Sequence, residues 1–231
     1  MSYQEDWDNS GLQVGNRNAE IKAALLTVDV TESVVNEAIL LGCDLIISHH
    51  PLLFRGLKQL TGSTPQERCV EQAIRHNIAI YSAHTSMDSY LHGVSGRMAE
   101  KLGVDNYRIL IPSAGDMQVG LGVIGELQEA MDNEAFVAHV ANVFAAPSAP
   151  LRWVEGAKKT VKKVAICGGA GAEFVEQAIA QSADAYISAD FKYHELQSAY
   201  QRITVVDMDH WVSEHFTREI FEELLSAHVT T

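Results

Sequence analysis

Short apolar runs alternate with helix-period stretches in the first third of the chain and again in the last third. Ala23-Ala24-Leu25-Leu26-Thr27-Val28 is followed by an amphipathic stretch from about Ser33 to Leu41, and then by Leu45-Ile46-Ile47. The same order returns in Val164-Ala165-Ile166-Cys167, a helical stretch from about Glu173 to Gln181, and Ala185-Tyr186-Ile187. Apolar runs this short, bounded by Gly and Asp, predict β-α-β units with parallel strands. Each unit continues through a helix to a further strand, Ile78 to Tyr81 in the first and Ile203 to Val206 in the second. Shifting residues 22–54 by 140 positions aligns Lys22, Val35, Ala38, Ile39, Asp44, Ile47 and Ser48 with identical residues, without a gap. The pattern therefore reads as an internal duplication. Between the copies, Val104 to Lys159 is more variable. It predicts a strand over Met117 to Ile124, a helix over Asn133 to Phe144, a break at Ala145 to Pro150 and a short strand at Leu151 to Val154. The expected fold class is α/β: two interleaved lobes from the duplication, with mixed sheets flanked by helices. Residues 1–104 with 195–231 form the expected metal-binding lobe and residues 105–194 the second, with no long polar linker between them.

The two copies diverge at the strand exits, where open α/β sheets gather their ligands. The first copy carries Ser48-His49-His50-Pro51, and its further strand leads to His84-Thr85-Ser86-Met87-Asp88. The second carries Ala189-Asp190 in place of the histidine pair, and its further strand leads to Asp209-His210 and then Ser213-Glu214. Adjacent histidines on an extended backbone point to opposite sides, so two neighbouring metals suit them better than one. Imidazoles and carboxylates at strand exits are the donors of a two-metal hydrolytic centre. His49, His50, Asp88, His210 and Glu214 are the candidate ligands.

Each has a plainer reading. His210 and Glu214, spaced i, i+4, share one face of a helix starting near His210, but Asp209 also suits the N-cap of such a helix. Asp88 suits a loop aspartate bonded to nearby amides. His84 fits a ligand or a residue that orients one. Asp190 and His194 either face the same cleft or lie on the surface. Cys167-Gly168-Gly169-Ala170-Gly171 sits between strand and helix but lacks a dinucleotide-binding fingerprint and a P-loop lysine, so a tight turn packing helix on strand is expected.

Composition narrows the class. At 231 residues with 47% hydrophobic and 20% charged side chains, the chain can bury a substantial core. No apolar run is long enough for a membrane span, and the N-terminus has no secretory pattern. Cys43, Cys69 and Cys167 are scattered and odd in number, which fits a reducing cytoplasm rather than a disulfide framework. A net charge of −13 opposes nonspecific nucleic-acid binding.

Trp7-Asp8-Asn9-Ser10-Gly11-Leu12-Gln13-Val14-Gly15, Ser48-His49-His50-Pro51-Leu52-Leu53-Phe54 and His84 to Asp88 resemble the Nif-three-like dinuclear metal-centre family. So do the Cys167 to Gly171 stretch, Asp190 to His194 and His210 to Glu214, in the same order from Trp7 to the C-terminal helix. The chain begins close to the Trp-Asp-Asn motif, where members usually carry a preceding helix. Members are often named GTP cyclohydrolase 1 type 2 homologues. The resemblance implies two divalent ions (zinc, iron, manganese or nickel) on His49, His50, Asp88, His210 and Glu214, with Glu214 touching both. It implies a toroidal homohexamer with the sites facing an internal cavity. It also implies a metal-dependent hydrolase of a nucleotide-like or phosphorylated small molecule, with His84 and His194 as the candidates for acid/base work. As polar groups to aim at a substrate the sequence supplies His84, His194, Lys58 and Lys192. A metal-binding, metal-delivery or ring-shaped adaptor protein without turnover is the alternative.

Overall fold

A computed structural model of the chain describes residues 3–113, 116–144 and 151–229. It divides into two compact units, Met1–Met87 with His215–Thr231 and Asp88–Glu214.

The first unit is built on a four-stranded sheet. Its elements are β1 (Gly11–Val14), β2 (Ala24–Thr27), α1 (Glu32–Leu41), β3 (Leu45–Ser48), α2 (Pro65–Arg75), β4 (Ala79–Ser82) and α3 (Thr85–Asp88), whose last residue starts the second unit. Strand order is β1-β4-β3-β2, with β2, β3 and β4 parallel and β1 antiparallel at the edge. Thr31 caps α1 by accepting from Val34 N, and Gly42 ends the helix at φ 68°. Thr64 caps α2, with Pro65 pre-set for its first turn. Alternate strand residues Val14, Ile46 and Ile80 meet Val35 and Ala38 of α1 and Cys69, Val70 and Ala73 of α2 in one buried cluster.

The second unit carries a six-stranded sheet. After α4 (Val94–Leu102) come β5 (Val104–Ser113), β6 (Asp116–Asp132), α5 (Asn133–Val143), β7 (Arg152–Val154), β8 (Thr160–Ala170), a 3-10 turn (Ala172–Phe174), α6 (Val175–Ala180), β9 (Ala185–Ala189), α7 (Tyr193–Ala199), β10 (Thr204–Met208) and α8 (His210–Glu214). The order is β5-β6-β8-β9-β10-β7, with β8, β9 and β10 parallel. Ile124, Ala165, Tyr186 and Val205 pack with Val175 and Ala178 of α6 in its core. The last helix, α9 (Thr217–His228), returns to the first unit and packs on β2.

The two sheets repeat one register. Ala24 pairs with Leu45, Leu25 with Ile46 and Leu26 with Ile47, while Val164 pairs with Ala185, Ala165 with Tyr186 and Ile166 with Ile187. Every partner is shifted by the 140 positions found in the sequence alignment. The two repeated aspartates do the same work: Asp44 accepts from Lys22 N at 2.9 Å and Asp184 from Lys162 N at 3.0 Å.

The strands and helices of the two copies lie where the periodicity predicts them. β6 runs on past Ile124 to Asp132, and β1 and β5 add strands that the periodicity does not mark. The segment 145–150, where a helix break is expected, lies outside the described residues. Residues 88–104 and 195–214 group with the second unit rather than with the expected metal-binding lobe, because α4 packs on β8 and β10 pairs with β9. Among the described residues, no helix is long and apolar enough to cross a membrane.

Candidate metal centre

In the first unit, β3 ends at Ser48, so His49 and His50 leave the extended backbone and its strict side-to-side alternation. Their rings lie on one side, with centroids 4.9 Å apart and planes tilted by 43°. This corrects the opposed geometry expected for a strand. Ser48 Oγ donates to His50 O at 2.8 Å and contacts Ser82 Oγ at 2.8 Å, which ties the exits of β3 and β4 together. His84, two residues past β4, brings its ring to 5.4 Å from His49 and 5.5 Å from His50. One ligand-capable atom from each of the three lies within 4.8 Å of the others.

Each ring is held through Nδ1. His49 Nδ1 is 3.0 Å from Ala83 O, His50 Nδ1 is 2.8 Å from Asp29 Oδ1, and His84 Nδ1 is 2.8 Å from Asp8 Oδ1. A carbonyl or carboxylate oxygen can only accept, so Nδ1 donates and Nε2 becomes the basic nitrogen of each neutral ring. That is how proteins orient histidine toward a metal.

Asp8 is the most heavily bonded of these partners. Its side chain is fully buried and accepts from Thr85 N (3.1 Å), Thr85 Oγ1 (2.7 Å), Ser10 Oγ (2.7 Å) and His84 Nδ1. Burial raises its pKa, but the bonds from Thr85, His84 and Ser10 outweigh that and hold it at about 2.

In the second unit, Asp209 caps α8 by accepting from Val212 N at 3.3 Å, and the helix carries His210 and Glu214 on one face. The cap and the ligand pair are thus compatible. His210 Nε2 lies 3.1 Å from Glu214 Oε2, and its Nδ1 lies 2.7 Å from Asp190 Oδ2. The hydrogen bond to Glu214, joined by Asp190 and opposed by burial, raises His210 to about 9. Asp190 thus does for His210 what Asp29 and Asp8 do for the first-unit rings. Glu214 is buried, and Asp88 lies at the end of α3. Burial pushes the Cys167 thiol up to about 12, and Asp88 and Glu214 both add to the shift. One carboxylate oxygen of Asp88 and one of Glu214 lie within 4.8 Å of each other, with His210 beside Glu214.

The glycine stretch has a different role from the expected tight turn. β8 runs through it, and Gly169, at φ +64°, lies under the α8 pair: a Cβ there would sit 2.2 Å from Glu214 Oε1 and 3.4 Å from His210 Nε2. Gly169 N donates to Ser213 Oγ at 2.9 Å, and Ser188 Oγ donates to Gly169 O at 3.0 Å. Gly169→Ala is expected to cost about 2–4 kcal/mol in urea unfolding, through both its left-handed backbone and the displaced carboxylate. Unchanged stability would show that Glu214 gives way freely.

His194 is exposed on α7, with Nδ1 3.3 Å from Gln197 Oε1 and its ring against Tyr193. Among the described residues it joins no group of three metal-capable side chains. Lys58 and Lys192 are exposed. The residues that sequence reasoning left without a role are Asp8 and Asp29.

A family model for Duf34/NIF3 (NGG1p interacting factor 3) matches residues 1–231. The chain is 33% identical over 214 residues to a protein of Streptomyces coelicolor named GTP cyclohydrolase 1 type 2 homolog, covering 91% of this chain and 75% of that one. A Clostridium acetobutylicum protein of the same name is 33% identical over 216 residues, 93% of this chain and 80% of its own. Among solved structures, Staphylococcus aureus hypothetical protein SA1388 superposes with a TM-score of 0.89 at 28% identity, covering 98% of this chain and 86% of that one. Reduced HcgD from Methanocaldococcus jannaschii gives 0.80 at 28% identity, covering 98% of this chain and 88% of that one. With an α/β fold of two mixed sheets and matches along its whole length, the chain belongs to the Duf34/NIF3 family.

Proposed function

We propose that this protein binds two divalent ions through His49, His50, Asp88, His210 and Glu214, and hydrolyses a nucleotide-like or phosphorylated small molecule. The supporting observation is the shared orientation of the imidazoles: His49, His50, His84 and His210 each have Nδ1 on a carbonyl or carboxylate. The donor set fits the ions by chemistry, since imidazole mixed with carboxylate suits zinc, iron, manganese or nickel. The carboxylates would offset the charge of two ions.

Divalent ions held there supply Lewis-acid activation of water and stabilise charge on a substrate oxygen. The protein's own part is proton handling and alignment. Asp8 fixes His84 with Nδ1 protonated, which leaves Nε2 to take a proton from the attacking water and return it to the leaving group. Asp29 and Asp190 hold the His50 and His210 rings in orientation. The names of the relatives in Streptomyces coelicolor and Clostridium acetobutylicum place hydrolysis of a purine nucleotide among the reactions to test.

The test is a screen of nucleotides and phosphate esters with metal-loaded protein, run beside His84→Ala and His194→Ala. A metal-dependent turnover that falls about 100-fold or more in His84→Ala, with metal retained, is the expected result. Full metal content with no turnover in the parent points instead to the metal-delivery alternative, and undiminished turnover in His84→Ala removes its proton role.

A further inference from the structure

Two large aromatic rings stand in solvent beside the first-unit histidines. Trp7 is 62% exposed and Phe54 is 47% exposed. Single exposed aromatics need no explanation, but these two are neighbours, with centroids 6.1 Å apart and planes inclined by 64°. They form an open corner. His84 closes its third side, edge-on, at 6.1 Å from Trp7 and 6.3 Å from Phe54. The same His84 ring lies 5.4 Å from His49 and 5.5 Å from His50, so the corner opens directly onto the imidazole set.

The corner is built rather than incidental. Trp7 is anchored by its chain neighbour Asp8, whose buried carboxylate takes bonds from Thr85, Ser10 and His84. Phe54 is anchored by its neighbour Leu53, whose O accepts from Asn9 Nδ2 at 2.7 Å and whose N donates to Gln13 Oε1 at 3.1 Å. Gln13 Nε2 in turn donates to Asn9 O at 2.5 Å. One polar network therefore fixes the backbone beneath both rings while leaving their faces in water. A core role would bury those faces, and a solvated loop would not hold them in place.

We propose that Trp7 and Phe54 form a stacking subsite for a planar, nucleobase-like heterocycle of the substrate. This rests on the hydrolase reading of the adjacent site and narrows its substrate class from phosphorylated small molecules in general to those carrying such a ring. The electron-rich indole face offers the stacking surface, the inclined phenyl ring packs against one side of the bound ring, and His84 meets its edge. Stacking of this kind accepts any base because every base has a π-face, and larger bases gain more. Asn9 Nδ2 and Gln13 Oε1 are engaged by the Leu53 backbone and Gln13 Nε2 by Asn9 O, so these groups hold the corner in shape while the two rings supply the stacking surface.

The experiment is a titration of full-length protein, both metal-stripped and metal-loaded, with guanosine, uridine and the ring-less ribose 5-phosphate, followed by tryptophan emission and calorimetry. Trp7→Ala, Trp7→Phe and Phe54→Ala report on the corner, and because Trp7 is largely exposed its replacement leaves the core intact. The expected result is saturable quenching of the parent by guanosine, tighter than by uridine, with a calorimetric affinity that weakens about tenfold or more in Trp7→Ala and Phe54→Ala and is largely kept in Trp7→Phe. Ribose 5-phosphate should bind no differently in the parent and Trp7→Ala. No saturable guanosine binding in either form of the parent, or equal guanosine affinity in Trp7→Ala, overturns the subsite. The two readings fail separately: metal content of about two with no ring binding leaves the metal centre standing, and ring binding by a protein that takes no metal leaves the subsite standing without the hydrolase.

Discussion

Asp8→Asn is expected to lower the free energy of unfolding by about 2–4 kcal/mol near neutral pH. The buried carboxylate accepts four hydrogen bonds, two of them from Thr85, and an amide can replace only part of that acceptance while setting its own N–H groups against donors. The pH dependence gives the sign. The folded pKa of Asp8 is about 2, below the roughly 3.9 of an unfolded aspartate. A depressed pKa adds stability that is fully present above about pH 4 and is lost as pH falls toward about 2. The stability gap between parent and Asp8→Asn should therefore narrow across that window in urea titrations. A gap independent of pH would mean that the charge of Asp8 contributes nothing. The same variant should loosen His84 at the junction of the imidazole set and the aromatic corner.

Removing metal should have an effect of similar or greater size. The second unit gathers Asp88 and Glu214 with one carboxylate oxygen of each within 4.8 Å of the other, an arrangement that a bound cation would stabilise. Binding to the folded chain alone stabilises it by about 2.7 kcal/mol per site at a hundredfold excess over Kd. Two sites then give about 5 kcal/mol, or roughly 10–20 °C in the unfolding midpoint of a chain this long. Zinc or manganese should raise the midpoint of chelator-treated protein by such an amount, and the His50→Ala/Glu214→Ala double variant should lose the response. A parent midpoint unmoved by every divalent ion tested would contradict the proposed coupling between ions and fold.

The sequence made the β-α-β units legible because each buried strand is a short apolar run and each helix shows its own period. The duplication was legible for the same reason, and the repeated ladder from Ala24/Leu45 to Val164/Ala185 gives it a structural basis. β1 escaped detection because its four residues lie inside the polar Trp-Asp-Asn motif at a sheet edge, where one irregular pairing with β4 suffices. The length of β6 was hidden because its second half alternates buried Leu127 with exposed Glu126 and Gln128, a pattern too polar to stand out as a strand. The positions of the candidate ligands at strand exits could be read directly. The groups that orient them could not: Asp29 is 21 residues from His50 and Asp8 is 76 from His84, so only folding brings each pair together. The role of Gly169 is hidden for a related reason, since what occupies the space above it comes from α8, more than 40 residues away.

The measurement that bears most directly on the metal centre is elemental analysis of metal per chain, on protein purified without chelator, with the His50→Ala/Glu214→Ala variant prepared in parallel. About two divalent ions per chain in the parent and a clear loss in the variant is the expected result. No metal in the parent after reconstitution with zinc, manganese, iron or nickel, or full content in the variant, would contradict the ligand assignment and with it the hydrolytic chemistry built on it.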